Sequence, residues 1–113
     1  MQHKSARVTS LREGASVEMQ PGIVRTTMAY NEQLMVCHFA LKKGAVIPLH
    51  NHTASQSGFV LQGRVRLFLA DDSSLIAARG DGYVFDPDEP HGAEALEDTE
   101  LIECFSPLRP EYL

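Results

Sequence analysis

Turn-forming residues interrupt this chain so often that its apolar stretches have room only for short strands. Gln20-Pro21-Gly22, Asn31-Glu32, Lys43-Gly44, Gln62-Gly63, Ala70 to Ser73, Arg79-Gly80-Asp81, Asp86 to Pro90 and Glu97-Asp98 carry turn chemistry or local polarity at close intervals. Between them apolar residues alternate with polar ones or run in short blocks, and no window of ~11 residues or more keeps a helical period. The pattern predicts strands at Ser16 to Met19, Ile23 to Ala29, Leu34 to Leu41, Ala45 to Leu49, Gly58 to Leu61, Arg64 to Leu69, Ser74 to Ala78, Gly82 to Phe85, Ala93 to Ala95 and Glu100 to Phe105. Strands this short bury their apolar faces only by closing into a barrel or packing against a second sheet, so an all-β sandwich or barrel is expected.

A chain of 113 residues is expected to form one domain over residues 1–113, with residues 1–15 as an N-terminal arm. Its 43% hydrophobic and 22% charged residues are ordinary for a globule, and no apolar run approaches the ~20 residues of a membrane-spanning helix. The opening MQHKSARVTS lacks the apolar core of a secretory leader, and two cysteines, Cys37 and Cys104, fall short of a disulfide framework. A cytoplasmic location with reduced thiols is therefore expected, and both cysteines read as small core hydrophobes. The net charge of −5, with no basic cluster denser than Lys42-Lys43, disfavours nucleic acid as a partner. A homodimer is expected, because a small barrel leaves sheet edges that Ser16 to Met19 of a second copy could cover.

The chemistry concentrates in two stretches. In Gly44-Ala-Val-Ile-Pro-Leu-His50-Asn-His52 the two histidines are separated by one residue, so on an extended segment they project to one face, about 6.6 Å apart. Gln56 follows four residues later and offers a neutral amide oxygen. A third imidazole would come from His91, after Asp86-Pro87-Asp88-Glu89-Pro90. Together these suit one divalent transition metal ion, from among nickel, zinc, iron, manganese and copper. Three neutral imidazoles and a neutral amide would leave the ion's full charge available to polarise a bound oxygen.

The wider spacing resembles the cupin family. Its first motif, G-x5-H-x-H-x3-E-x6-G, is matched at Gly44, His50, His52 and Gly63, with Gln56 in the glutamate position. The second, G-x5-P-x-G-x2-H-x3-N, keeps its spacing at Gly80 and His91, with Asp86, Asp88 and Ala95 at the proline, glycine and asparagine positions. The resemblance implies a double-stranded β-helix, a jelly-roll barrel, with the metal inside its mouth. An amide oxygen binds a divalent cation less strongly than a carboxylate, so the Gln56 replacement bears on the metal's identity and tightness.

Outside the motifs the chain is similar to one cupin subgroup, the pectin degradation proteins that convert cyclic 4,5-unsaturated monouronates to linear keto sugars. The similar stretches are Pro21-Gly22-Ile23-Val24-Arg25, Leu34-Met35-Val36, Lys43-Gly44-Ala45 and the ending Phe105 to Leu113. In that subgroup an acidic residue, a phenylalanine two positions on and an arginine four further on shape the substrate pocket, and these fall on Glu103, Phe105 and Arg109. The resemblance implies a small anionic sugar as substrate, with Glu103 moving a proton and Arg109 gripping a carboxylate. Glu103 stands where the subgroup usually has aspartate.

Residue by residue, a solvated Glu103 within the acidic run Glu97, Asp98, Glu100 and a surface Arg109 are the competing structural readings. Phe105 reads as barrel lining, and His38 as a satisfied or half-exposed strand histidine outside the ligand set. Tyr83 and Phe59 read as packing, with the Tyr83 hydroxyl a candidate to face the pocket. Two other functions compete with the sugar enzyme. One is a cupin dioxygenase acting on a small oxygenated or thiol substrate, and the other is a binding module for metal or sugar without turnover.

Overall fold

The structure, a computed structural model, describes residues 6–113. After a short 3-10 turn at Leu11–Glu13, ten strands follow: β1 (Ala15–Gln20), β2 (Ile23–Tyr30), β3 (Met35–Leu41), β4 (Val46–His50), β5 (Ser55–Gln62), β6 (Arg64–Leu69), β7 (Ser74–Ala78), β8 (Gly82–Phe85), β9 (His91–Ala95) and β10 (Thr99–Ser106). A second 3-10 turn, Pro110–Tyr112, closes the chain. The larger sheet has the order β1-β2-β3-β10-β5-β8 and the smaller the order β4-β9-β6-β7, antiparallel throughout. From β3 onward the chain passes repeatedly from one sheet to the other, which is jelly-roll connectivity. No helix among the described residues is long and apolar enough to cross a membrane.

Alternation along the strands fills the space between the sheets. Met35, Cys37, Phe39 and Leu41 of β3, Val65 and Leu67 of β6, and Leu101 and Phe105 of β10 are all buried there. The crossing from β5 to β6 turns on Gly63, whose φ of +90° suits glycine and whose missing side chain matters as much. A Cβ there would lie 2.4 Å from the Asp98 carbonyl oxygen. Thr99 ties the crossing down from below, its Oγ1 accepting from the Arg64 amide at 3.2 Å.

All ten predicted strands are present, and the differences lie where the site is built. β5 begins at Ser55 rather than Gly58, and β9 at His91 rather than Ala93. Ser55-Gln56-Ser57 has no apolar alternation to announce a strand. It is held extended by its ladders, Gln56 standing opposite Phe105 of β10 on one side and Phe85 of β8 on the other. His91 is likewise paired with His50 of β4 and Leu69 of β6. Ala15, at the end of the stretch expected as an arm, belongs to β1 and pairs with Thr27; residues 1–5 of that stretch lie outside the described ones.

Two core assignments need correction. Cys37 is buried, but Cys104 has the opposite parity on β10 to the inward-facing Phe105 and is exposed on the outer face of the large sheet. Phe59 is on that face too and is half exposed. β1 has β2 on one side and forms the border of the sheet, with Val17 and Met19 partly exposed.

Candidate metal centre

Both sheets contribute to one cluster at the barrel mouth. His50, the last residue of β4, stands opposite His91, the first of β9, in the small sheet. His52 belongs to the link that carries the chain over to the large sheet, where Gln56 enters β5. The imidazole centroids lie 4.6 Å (His50 and His91), 5.0 Å (His52 and His91) and 5.6 Å (His50 and His52) apart. Among the described residues this is the group whose ligand nitrogens, all within 4.8 Å of one another, could hold a metal ion.

The backbone decides which nitrogen faces inward. His50, His52 and His91 donate from Nδ1 to the carbonyl oxygens of Pro48, Ala54 and Glu89 at 2.9, 2.8 and 2.8 Å. A carbonyl can only accept, so each neutral ring carries its proton on Nδ1 and turns a bare Nε2 lone pair towards the centre. Fixing the ring through its far nitrogen is the usual support of a metal-binding histidine. Gln56 Oε1 lies 2.9 Å from His52 Nε2 and 3.0 Å from His91 Nε2. Acceptor then faces acceptor at contact distance, an arrangement that needs positive charge between the atoms, and a divalent cation meets that need.

Protonation of the rings meets it poorly. Burial, against which the Glu89 carbonyl works, holds His91 down at about 4, and burial together with the Arg109 charge lowers His52. Phe85 stacks on His91 at 4.3 Å and 7°, and Phe105 meets His52 edge-on at 5.8 Å. These aromatic contacts hold the two rings in place. Turning the Gln56 amide over would offer hydrogens to the rings, but would also turn its oxygen towards Glu103, whose anion that amide helps to stabilise. The donor set therefore fits a divalent metal.

Glu103 and Phe105 face inward on β10, as their spacing predicts. Two adjoining pockets share Ile47, His50, Gln56 and Glu103 in their walls. One is completed by Phe105, Arg109 and Tyr112, the other by Tyr83, Phe85 and His91. Glu103 is 5% exposed, which rules out the solvated reading. Its Oε1 accepts from the Tyr83 hydroxyl at 2.6 Å, while its Oε2 is buried with no hydrogen-bond partner. Burial pushes its pKa up to about 7 against the pull of Tyr83 and Gln56. Tyr83 is raised too, by burial and by the neighbouring carboxylate, so it stays the donor.

Arg109 is not a surface residue, its side chain being only 12% exposed. Its guanidinium lies 4.2 Å from the Tyr112 ring and 5.2 Å from Phe105, donates to the Tyr112 hydroxyl at 2.9 Å, and pairs with the half-exposed Glu111 at 3.1 Å. Its Nε is buried without a partner. Tyr112, to which the sequence reading assigned no role, holds this segment over the mouth. Thr27 Oγ1 donates to its carbonyl oxygen at 2.5 Å, and Arg25 stacks on its ring at 4.2 Å. Arg25 was detectable in the sequence as a charge at the inward parity of Ile23-Val24-Arg25-Thr26-Thr27. Nothing local marks Tyr112 within Pro110-Glu111-Tyr112.

Two facing antiparallel sheets with histidines from both motifs gathered at the mouth define a cupin. The Cupin domain family matches residues 37–104, and the chain belongs to that family. Among relatives, it is 34% identical over 100 residues to the pectin degradation protein KdgF of Dickeya dadantii, covering 85% of this chain and 88% of that protein. The solved structure of KdgF from a Halomonas species is 32% identical and superposes with a TM-score of 0.88, over 96% of this chain and 99% of that one. An RmlC-like cupin from Shewanella frigidimarina is 26% identical, also with a TM-score of 0.88, over 96% and 97% of the two chains.

Proposed function

We propose that this cupin is a metal-dependent enzyme that opens a cyclic 4,5-unsaturated monouronate to its linear keto form, holding one divalent transition metal on His50, His52, Gln56 and His91. One observation carries the reading: the imidazole of His50, which belongs to the three-histidine cluster, a buried carboxylate and a largely buried guanidinium share the walls of one pocket. The likeness to pectin degradation proteins points the same way.

In such an opening the anomeric hydroxyl loses its proton, the bond from C1 to the ring oxygen breaks, and its electron pair passes to the oxygen on C5 as an enolate. A proton then adds at C4. No net proton or electron is consumed, so one group that takes and returns a proton suffices. Glu103 suits that task, lining the pocket with one oxygen held by Tyr83 and the other buried without a hydrogen-bond partner. Arg109 suits the sugar carboxylate, its flat guanidinium held in one orientation by Phe105 and Tyr112. Phe105 closes the apolar side. A bound divalent ion would supply Lewis acidity to the substrate oxygens, which favours loss of the hydroxyl proton and stabilises the negative charge released on ring opening.

The test is the ring double-bond absorbance of pectin-derived and alginate-derived monouronates, followed with metal-loaded protein. Faster decay than the spontaneous rate is expected. An unaltered rate on every one of them would sink the sugar reading, and oxygen uptake with a diketone or thiol would replace it with the dioxygenase. We read the working form as a homodimer that covers the border strand β1. Light scattering should give twice 12.5 kDa, and a mass of 12.5 kDa at high concentration would remove this claim.

A further inference from the structure

We propose that Tyr83 is a positioning residue for Glu103, reaching it through a gap that Gly58 leaves in the strand between them. The inference rests on the proton-transfer role given to Glu103 above and adds what makes that side chain competent. Tyr83, Gly58 and Glu103 form one cross-strand row on β8, β5 and β10, Gly58 standing directly opposite both of the others. Strands lie ~4.8 Å apart, so the outer two residues of such a row are ~10 Å apart at their Cα atoms and ordinarily separated by the middle side chain. Here the phenol ring crosses the vacant place. A Cβ on Gly58 would lie 2.2 Å from Tyr83 Cζ and 2.5 Å from its Cε1 and hydroxyl oxygen, so even alanine would displace the ring.

Packing alone does not account for the arrangement. A phenylalanine would fill the same space, whereas the tyrosine hydroxyl ends 2.6 Å from Glu103 Oε1. Glu103 makes no ion pair among the described residues, and its Oε2 has no partner. The Tyr83 hydrogen bond, with the Gln56 amide as another polar neighbour that favours the anion, is thus what sets the plane of the carboxyl group. It occupies one oxygen and leaves the other without a hydrogen bond, in a side chain that lines the pockets together with His50 and Gln56. Without it the carboxyl group is held less firmly, and the fraction of molecules with the oxygen correctly placed falls.

The experiment compares Tyr83→Phe in two backgrounds, wild type and Glu103→Gln, using metal-loaded protein and an unsaturated monouronate. In the wild-type background Tyr83→Phe should lower kcat about tenfold with KM and metal content unchanged; in the Glu103→Gln background it should change kcat less than about twofold. A loss of equal size in both backgrounds, or none in wild type, would overturn the proposal. Crystal structures of wild type and Tyr83→Phe separate this proposal from the uronate reading. If no uronate is turned over, a rotated or disordered Glu103 carboxyl in Tyr83→Phe still supports the positioning role, and an unmoved one refutes it.

Discussion

β10 carries two glutamates three residues apart, Glu100 and Glu103, which therefore face opposite sides of one sheet. On the outer side Glu100 accepts from His38 Nε2 at 2.8 Å, with its own side chain 46% exposed and the histidine packed against the sheet. The donor there is satisfied and water reaches the acceptor. On the inner side Glu103 is buried with a tyrosine hydroxyl on one oxygen and nothing on the other. The histidines differ in the same way. His38 points its Nε2 at a carboxylate, whereas His50, His52 and His91 spend their Nδ1 hydrogens on backbone carbonyls and leave Nε2 bare. One face uses its polar groups to close a structural contact, and the other keeps lone pairs in reserve, which costs stability and is what a reacting site requires.

The largest effect expected from this contrast is on metal. Freshly purified protein should carry about one ion per chain, and His50→Ala combined with His52→Ala should reduce this to near zero by elemental analysis. A double variant that kept wild-type occupancy would mean that the inner imidazoles are not the ligands. Next in size is Glu103→Gln, which keeps the shape and removes the titrating carboxyl. Turnover of an unsaturated monouronate should fall on the order of 100- to 10,000-fold, with metal content unchanged. Smallest is Glu100→Gln on the outer face. It should leave kcat, KM and metal as they are and shift the unfolding free energy by only ~0–1 kcal/mol in chemical denaturation, because so exposed a partner is screened by water. Were Glu100→Gln to slow turnover as much as Glu103→Gln, the division between the two faces would be wrong.

Most of the fold was legible because its signals are local. Alternation and turn chemistry located every strand, and the parity of β10 placed Glu103 beside Phe105 on the inner face. Parity was misjudged at Cys104, where an apolar neighbourhood outweighed the simple count from Phe105. The spacing of His50 and His52, with Gln56 and His91 at family distances, likewise brought together the residues that the structure gathers at the mouth.

The sequence by itself determined which residues are available to the site and which face of a strand each one takes, since both follow from the two-residue period of an extended chain. Tertiary structure alone decided their chemical state. The carbonyls of Pro48, Ala54 and Glu89 choose the imidazole tautomers, and a glycine on a neighbouring strand admits Tyr83 to Glu103. A C-terminal turn stacked on Arg25 brings Arg109 under cover. Protonation and orientation depend on atoms a few ångströms away in space and up to 85 residues away along the chain, as Thr27 and Tyr112 are, and no local pattern records such neighbours.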